Sequence, residues 1–512
     1  VNRRKRIVLY HPQGSRERKS PPYCRYTHEL PLALLSIAAW PLEDGFEVVL
    51  VDGSRFEPGE AHRRAAEACD GALLFATTGI LGWQVADSML CARAVKARNP
   101  KVPAVIGGWF ASVAAEMELA TGLYDAVAVG QGEITFRELV QALDAGEPLD
   151  SVPGFVLPRD GAAVRTAPRT VVGWNELRDP PWHLLDPRDY LAPQAREPGR
   201  RGVGAGFAPS RPRREISYYS SFGCPVQCTF CCSPGFTGLR WKAMPAERLV
   251  SDLLGLQERW GFEGVHFSDA NFGVSEPRVR AIAEALIARG SPVRWFAFLQ
   301  ADSVLRWKEE TLDLLAEAGL YSCLIGGETG DDATMEKLRK PTRGEENLEA
   351  ARALDRRGIE CVVSYMIGLP EDDEASMRTT IDQARRIAIE CPRARPEVWP
   401  YRPIPGSVDY ERAVARGFRP PSSLEEWASA GDYWNDVAWP GRIPDEILRA
   451  RSLFMHYASL AHGGVREKIG LWERRARRHL CERTYDRAGL EARIFHVVDG
   501  FRRTLAAVHA DP

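Results

Sequence analysis

The chain has 512 residues, 45% of them hydrophobic and 27% charged, with a net charge of −2. That length exceeds what one hydrophobic core usually supports and predicts two large domains with room for a third. The near-neutral charge gives no electrostatic case for nucleic acid, and eleven cysteines without paired spacing argue for a reducing compartment, the cytoplasm, over a disulfide framework.

The start, VNRRKRIVLYHPQG, is basic, but its apolar run of four residues is too short for a signal-peptide core. No later stretch is expected to span a bilayer. The run reads as a first β-strand. Residues 1–145 then alternate strand and helix. Strands are predicted at IVLY (7–10), EVVLV (47–51), ALLFAT (72–77), PAVIGG (103–108) and DAVAVG (125–130). Helices are predicted at PLALLSIAAWPLED, AHRRAAEA, VADSMLCARAVKA and EITFRELVQAL. This alternation predicts a doubly wound α/β domain, a parallel sheet with helices on both faces and a ligand at the carboxyl ends of the strands. Glycines stand at those ends: Gly79, Gly107, Gly108, Gly130 and Gly132. They let the backbone approach a large ligand, although glycines also end strands for purely structural reasons.

Residues 146–214 read as a linker: a hairpin around Arg159-Asp160-Gly161, a Pro-rich stretch, and the Gly/Pro/Arg-rich segment REPGRRGVGAGFAPSRPRRE. From 215 to 406 the βα alternation resumes, with six strands expected at EISYYSS, GVHFSDANF, VRWFAFLQ, SCLIGGET, CVVSYMIGL and RPEVWPYR. Six such units make an incomplete βα barrel. Residues 407–512 read as a helical C-terminal domain through IPDEILRARSLFMHYASLA and LEARIFHVVDGFRRTLAAV. The aromatic residues Trp427, Tyr433, Trp434 and Trp439 suit a pocket for a flat or greasy substrate or, more simply, packing against the barrel.

After the first barrel strand comes SSFGCPVQCTFCCSP, with Cys224, Cys228 and Cys231 spaced Cys-x-x-x-Cys-x-x-Cys on one loop. Three thiolates can hold three irons of a 4Fe–4S cubane and leave the fourth open to a ligand. The loop stands at the carboxyl end of a barrel strand, where βα barrels carry chemistry. A structural zinc site using Cys232 as fourth ligand fits less well, because adjacent thiols point apart and no second ligand pair lies nearby.

The motif, with Phe230 between its second and third cysteines, resembles that of the radical S-adenosylmethionine (radical SAM) enzymes. The resemblance implies that Gly326, Gly327 and Glu328 at the fourth barrel strand contact S-adenosylmethionine. Ser364 and Met366 on the fifth, with Phe230, Asp269 and Gln300, are implied to lie in the same site. Asp302 follows Gln300, where relatives often carry an arginine. The segments LPLALLSIAAWPLEDGFEVVLVDGS, VIGGWFAS and YDAVAVGQGEITFREL resemble the cobalamin-binding domain that precedes many radical SAM domains. That likeness implies a cobalamin site at Thr77, Thr78, Gly79, Gly107, Gly108, Trp109, Gly130, Gly132 and Glu133. No Asp-x-His-x-x-Gly motif occurs, and His11 to Gly14 keeps the His-x-x-Gly spacing with Leu9 in place of the Asp. Trp109-Phe110 follows the Gly-Gly where the family often has histidine.

The activity implied is cobalamin-dependent radical methylation of an unactivated carbon on a small molecule. A one-electron reductant such as flavodoxin or ferredoxin would feed the cluster. Three alternatives share parts of the pattern. An oxidative cyclase of the anaerobic magnesium-protoporphyrin ester cyclase kind has the same two-domain plan. A methylthiotransferase would need a second cluster, from Cys24, Cys69 and Cys91, but the last two fall in predicted helices. A zinc-stapled binding protein would carry no catalysis. No catalytic side chain is assigned.

Overall fold

Residue Tyr10 and its neighbours show how the first domain forms. In the strand β1 (Arg6–His11), Ile7 and Leu9 face one side and Val8 and Tyr10 the other, and all four are fully buried. Period-two alternation sends the first pair into a core with Leu34, Ala38, Phe136 and Leu139, and the second pair into a core with Ala61, Ala65, Cys91 and Val95. A strand apolar on both faces can only sit in the middle of a sheet covered by helices, and each large side chain so buried contributes about 1.5–3 kcal/mol.

The computed structural model describes residues 5–14, 29–196, 211–430, 438–461 and 471–484. Cys24, most of the Gly/Pro/Arg-rich segment, Tyr433, Trp434 and the second expected tail helix lie outside them. The chain divides into two units. One is Val1–Gly202 with Pro212–Trp295 and Arg402–Ala438; the other is Val203–Arg211 with Phe296–Tyr401 and Trp439–Pro512.

In the first unit a seven-stranded sheet runs β2-β1-β3-β4-β5-β6-β7. Here β2 is Glu47–Asp52, β3 Leu74–Thr78, β4 Ala104–Gly107 and β5 Ala126–Ala128, all parallel to β1. All five strands expected in this region form. Two short helices, Trp109–Val113 and Ala115–Ala120, form between β4 and β5 in addition to the four expected. The expected hairpin forms as β6 (Phe155–Arg159) and β7 (Ala162–Arg165), with Asp160 and Gly161 at positive φ in the turn. It adds to the sheet, since β6 pairs antiparallel with β5 through Val127 and Val156.

All six barrel strands form too: β8 (Glu215–Tyr218), β11 (Gly264–Phe267), β12 (Arg294–Leu299), β13 (Leu320–Glu328), β14 (Glu360–Ile367) and β15 (Ala394–Pro400). Their order is β15-β14-β13-β12-β11-β8, with parallel pairing at β8/β11, β13/β14 and β14/β15. A small antiparallel pair, β9 (Ser221–Phe222) and β10 (Lys242–Ala243), brackets the cysteine loop. The tail is helical at Val408–Ala415, Leu424–Ala430, Asp445–Ala461 and Leu471–Cys481. Trp427 is buried against Phe110, ring centroids 5.9 Å apart, so it packs into the first unit. Among the described residues no helix is long and apolar enough to cross a membrane.

Glu118, in Ala115–Ala120, is 1% exposed, has a buried Oε2 with no partner, and is pushed by burial from 4.5 up to about 8. The unfolded chain ionises this group near pH 4.5 and the folded chain only near pH 8, so rising pH favours unfolding across that window. Glu118→Gln is therefore expected to stabilise the fold by roughly 2–4 kcal/mol at pH 8 and hardly at all at pH 4.5. Thermal melts of both proteins across that range check this; a gain independent of pH would contradict a buried neutral acid.

Candidate active site

The cysteine loop begins where the chain leaves β9. Gly223 has φ +78, and a Cβ there would lie 2.0 Å from the Arg240 carbonyl oxygen, so no side chain fits between the two arms of the small ribbon. Cys224 follows at once. The Cys231 N–H donates to the Cys228 carbonyl at 3.3 Å, a turn that places these two thiols in sequence along the loop. Cys228 is buried, Cys224 and Cys231 are half-buried, and none is in a disulfide. Cys232 caps the short helix Ser233–Thr237, and burial together with its neighbour Cys231 pushes its thiol up to about 12.

Two sets of contacts hold this loop. Asp269, 1% exposed at the end of β11, accepts from the Ser220 N–H at 3.0 Å, from the Ser220 hydroxyl at 2.9 Å and from the Ser221 hydroxyl. Arg278 adds a bond to the Ser220 hydroxyl at 2.8 Å. On the far side, the Thr229 hydroxyl donates to Asp409 at 2.8 Å and the Asp409 N–H returns to the Thr229 carbonyl at 3.0 Å. Both carboxylates are buried and hydrogen-bonded, so they fix the loop's two ends. Phe230, half-buried, directly follows Thr229.

The loop's helix also meets the carboxyl edge of the first sheet. Ser233–Thr237 packs on Trp109–Val113. Added Cβ atoms would lie 3.4 Å from the Phe236 carbonyl oxygen at Gly130, 3.5 Å from the Gly406 carbonyl oxygen at Gly235, and 2.8 Å from Val113 Cγ1 at Gly406. At Gly406 the added methyl would collide, whereas at Gly130 and Gly235 it would meet ordinary van der Waals contact.

At that edge the residues expected to hold cobalamin form one connected surface. Gly108 has φ +99, and a Cβ there would stand 2.6 Å from Thr78 Oγ1 and 3.1 Å from the Gly79 carbonyl oxygen. The Thr78 hydroxyl donates to the Gly107 carbonyl at 3.4 Å, and that of Thr77, buried, to the Tyr10 carbonyl at 3.0 Å. Ser112 ties two of the loops together: its hydroxyl donates to the Gly108 carbonyl at 2.8 Å and accepts from the Gly130 N–H at 3.1 Å. Trp109 is half-buried, edge-on to Phe110. Gly132 backs onto Ile37, and Glu133 Oε1 accepts from the Ser36 hydroxyl at 2.7 Å. Glu133 Oε2 is buried without a partner and burial raises the carboxyl. An unmet buried acceptor beside three glycine-lined strand ends fits a large ligand with amide donors, as cobalamin is.

The second unit holds the expected cosubstrate residues. Gly326 of β13 pairs with Ser364 of β14, and Met366 lies two residues on, so all three share one face of the sheet. That face is half-buried, while Ile325, Gly327, Val363 and Tyr365 on the other are buried under helices. Glu328 ends β13 at φ +57 and is paired with Lys340 at 2.5 Å. Gln300, half-buried, caps the helix Ala301–Arg306. Asp302 in that helix is buried and paired with Arg306 at 2.9 Å.

Known proteins carry the same parts. The radical SAM superfamily matches residues 218–384, and the B12 binding domain matches residues 24–140. The chain thus carries a radical SAM domain with a B12 binding domain before it. It is 26% identical over 331 residues to an uncharacterized methyltransferase of Pyrococcus horikoshii, covering 64% of this chain and 67% of that protein. It is 26% identical to the anaerobic magnesium-protoporphyrin IX monomethyl ester cyclase of Synechocystis, covering 67% of this chain and 65% of the cyclase. The chain thus spans about two thirds of the length of these curated relatives. The structure of the radical SAM methyltransferase TsrM from Kitasatospora setae, with cobalamin and a 4Fe–4S cluster bound, superposes with TM-score 0.65 at 16% identity, covering 94% of this chain and 100% of that one. That likeness shows a common fold.

The cofactors these two domains take are accordingly a 4Fe–4S cluster, S-adenosylmethionine and cobalamin. Among the described residues no three His, Cys, Asp or Glu side chains converge at single-ion geometry. A cubane takes its thiolates on different irons, so its cysteines stand farther apart than the ligands of one ion, and a loop with three cysteines outside any disulfide suits it. Sequence reasoning missed Ser112, Ser36, Asp409 and Lys340, which act through tertiary contacts. Ser112, three residues past Trp109 in VIGGWFAS, and Ser36, in LPLALLSIAAW, stood in segments already singled out; Asp409 and Lys340 did not.

Gly108→Ala is expected to lower cobalamin affinity at least tenfold while leaving iron and sulfide content unchanged, because the added methyl meets Thr78 Oγ1 and an L side chain resists this φ. Cobalamin quantification and the ultraviolet–visible spectrum of the purified variant check this. Undiminished cobalamin would remove Gly108 from the cradle.

Proposed function

We propose that this radical SAM protein methylates an unactivated carbon of a small molecule or natural-product intermediate. The observation that carries the reading lies within the first unit: the helix that follows the cysteines packs directly on the glycine-lined edge of the B12 binding domain. When bound, the cluster, S-adenosylmethionine and cobalamin supply one-electron bond cleavage and a transferable methyl group. The protein's own residues hold and shield them. Cys224, Cys228 and Cys231 would ligate three irons. Thr78, Gly79, Gly107, Gly108 and Gly130 would bed the cobalamin, with Glu133 Oε2 taking one of its amide donors. Gly326, Glu328, Ser364 and Met366 would line the cosubstrate site. Asp269 and Asp409 keep the cysteine loop in place through Ser220, Ser221 and Thr229. The electron donor is a flavodoxin or ferredoxin, and the setting the cytoplasm. Cyclisation or rearrangement without methyl transfer is the second reading, supported by the likeness to the Synechocystis cyclase.

Anaerobic purification with cobalamin supplied is expected to yield one cubane and about one cobalamin per chain. Addition of reductant and S-adenosylmethionine should then release 5′-deoxyadenosine. With substrate and methyl-labelled cosubstrate, label should appear in the product together with S-adenosylhomocysteine. 5′-Deoxyadenosine with an unlabelled, altered product would favour the cyclase reading. Cys228→Ala should lose the brown cluster absorbance and all 5′-deoxyadenosine release while retaining cobalamin; retained cleavage would contradict its ligand role.

A further inference from the structure

Lys340 is buried, its side chain 4% exposed. The Nζ donates to the Gly326 carbonyl at 2.8 Å and to Glu328 Oε1 at 2.5 Å. A Cβ built on Gly326 would stand 2.3 Å from Glu328 Oε1 and 2.8 Å from Lys340 Nζ, so carboxylate and ammonium lie folded over the glycine itself. The pairing of β13 with β14 breaks register between Gly326 and Glu328, a bulge that turns the Glu328 side chain back along its own strand.

Two backbone strains serve this one ion pair. Glu328 has φ +57, in the left-handed region that a glutamate rarely occupies. Arg339, at φ +53, turns the chain after the helix Asp332–Lys337 and delivers Lys340 to the strand end. Pro341 follows and biases Lys340 toward extended backbone. Non-glycine residues held this way persist only where surrounding contacts over-determine them, and they gather at ligand sites. Asn347 supplies one more such contact, donating to the Gly327 carbonyl at 3.0 Å.

The remaining polar groups point to a ligand. The hydrogen bond shown for the Glu328 carboxylate is the one from Lys340 to Oε1. Asp302, whose carboxyl also feels the Lys340 charge, has a buried Oδ1 without a partner. Asn347 Oδ1 and Thr342 Oγ1 are likewise buried and unmet. A carboxylate can accept from two ammonium groups, one on each oxygen. With Oε1 fixed by Lys340, Oε2 is left to accept from an incoming amino group.

We propose that Lys340 is a positioning residue for the cosubstrate: it locks the bent end of β13 so that Glu328 meets the amino group of S-adenosylmethionine. This rests on reading Gly326–Glu328 as the cosubstrate site. The role is geometric, so its loss weakens cosubstrate binding more than it slows turnover of what is bound.

The test is equilibrium dialysis of S-adenosylmethionine against the anaerobic, cluster- and cobalamin-loaded full chain, together with KM and kcat for 5′-deoxyadenosine release. For Lys340→Met a tenfold or greater rise in Kd and KM is expected, with kcat within threefold and iron, sulfide and cobalamin contents unchanged. Lys340→Arg, which keeps the charge, should recover part of the affinity. If Lys340→Met does not fold, Lys340→Gln is measured instead, with a rise of the same direction. A Kd within twofold of wild type in the folded variant, or a lowered melting temperature with unchanged Kd, would show a merely structural lysine and overturn the inference. Failure of the wild-type chain to bind S-adenosylmethionine would overturn the cosubstrate reading itself, and this inference with it.

Discussion

The close approach of three backbones around the cysteine loop is the constraint on which the site depends. At Gly130, Gly235 and Gly406 the end of β5, the helix after the cysteines and the segment past the barrel come within van der Waals distance of one another. Any side chain at Gly406 would collide with Val113. Through that contact the loop that carries Cys224, Cys228 and Cys231 is seated against the edge that carries Gly107 and Gly108. A reaction needing a cluster and a cobalamin together requires that neighbourhood, and the missing methyl at Gly406 helps to permit it.

Buried carboxylates do a second kind of work in this protein. Asp269 and Asp409 are each saturated by hydroxyl, amide or guanidinium donors, and they stiffen the loop from both ends. Glu133 and Glu328 are only partly satisfied, each with one oxygen engaged by the protein. The difference separates scaffold from binding surface: a satisfied acid has no capacity left for a ligand, while an unmet buried acceptor carries a desolvation cost that a ligand donor removes.

Preorganisation is expensive in backbone terms at one place above others. Glu328 and Arg339 both adopt left-handed conformations to close a single ion pair on Gly326. An ion pair this buried is a weak device for stability, because desolvation of two charges offsets their attraction. Its persistence at a strand end with unmet polar atoms nearby is better understood as fixing geometry for a charged ligand.

The sequence by itself determined the layout. Strands such as IVLY and CVVSYMIGL, apolar on both faces, can only be interior parallel strands, and period and punctuation placed every one of the barrel strands. The spacing of the cysteines is local, and so were the glycines at strand ends, which backbone chemistry alone makes conspicuous. What could not be read was whatever depends on contacts between residues far apart in the chain. The hairpin after residue 154 joins the first sheet because Val156 finds Val127. Ser112 bridges Gly108 and Gly130, Asp409 reaches back 180 residues to Thr229, and Lys340 folds over Gly326. Propensity and spacing describe what a segment does on its own. Which lysine meets which carboxylate is settled only when the whole chain has packed, because that choice is made by the shape of the space left over.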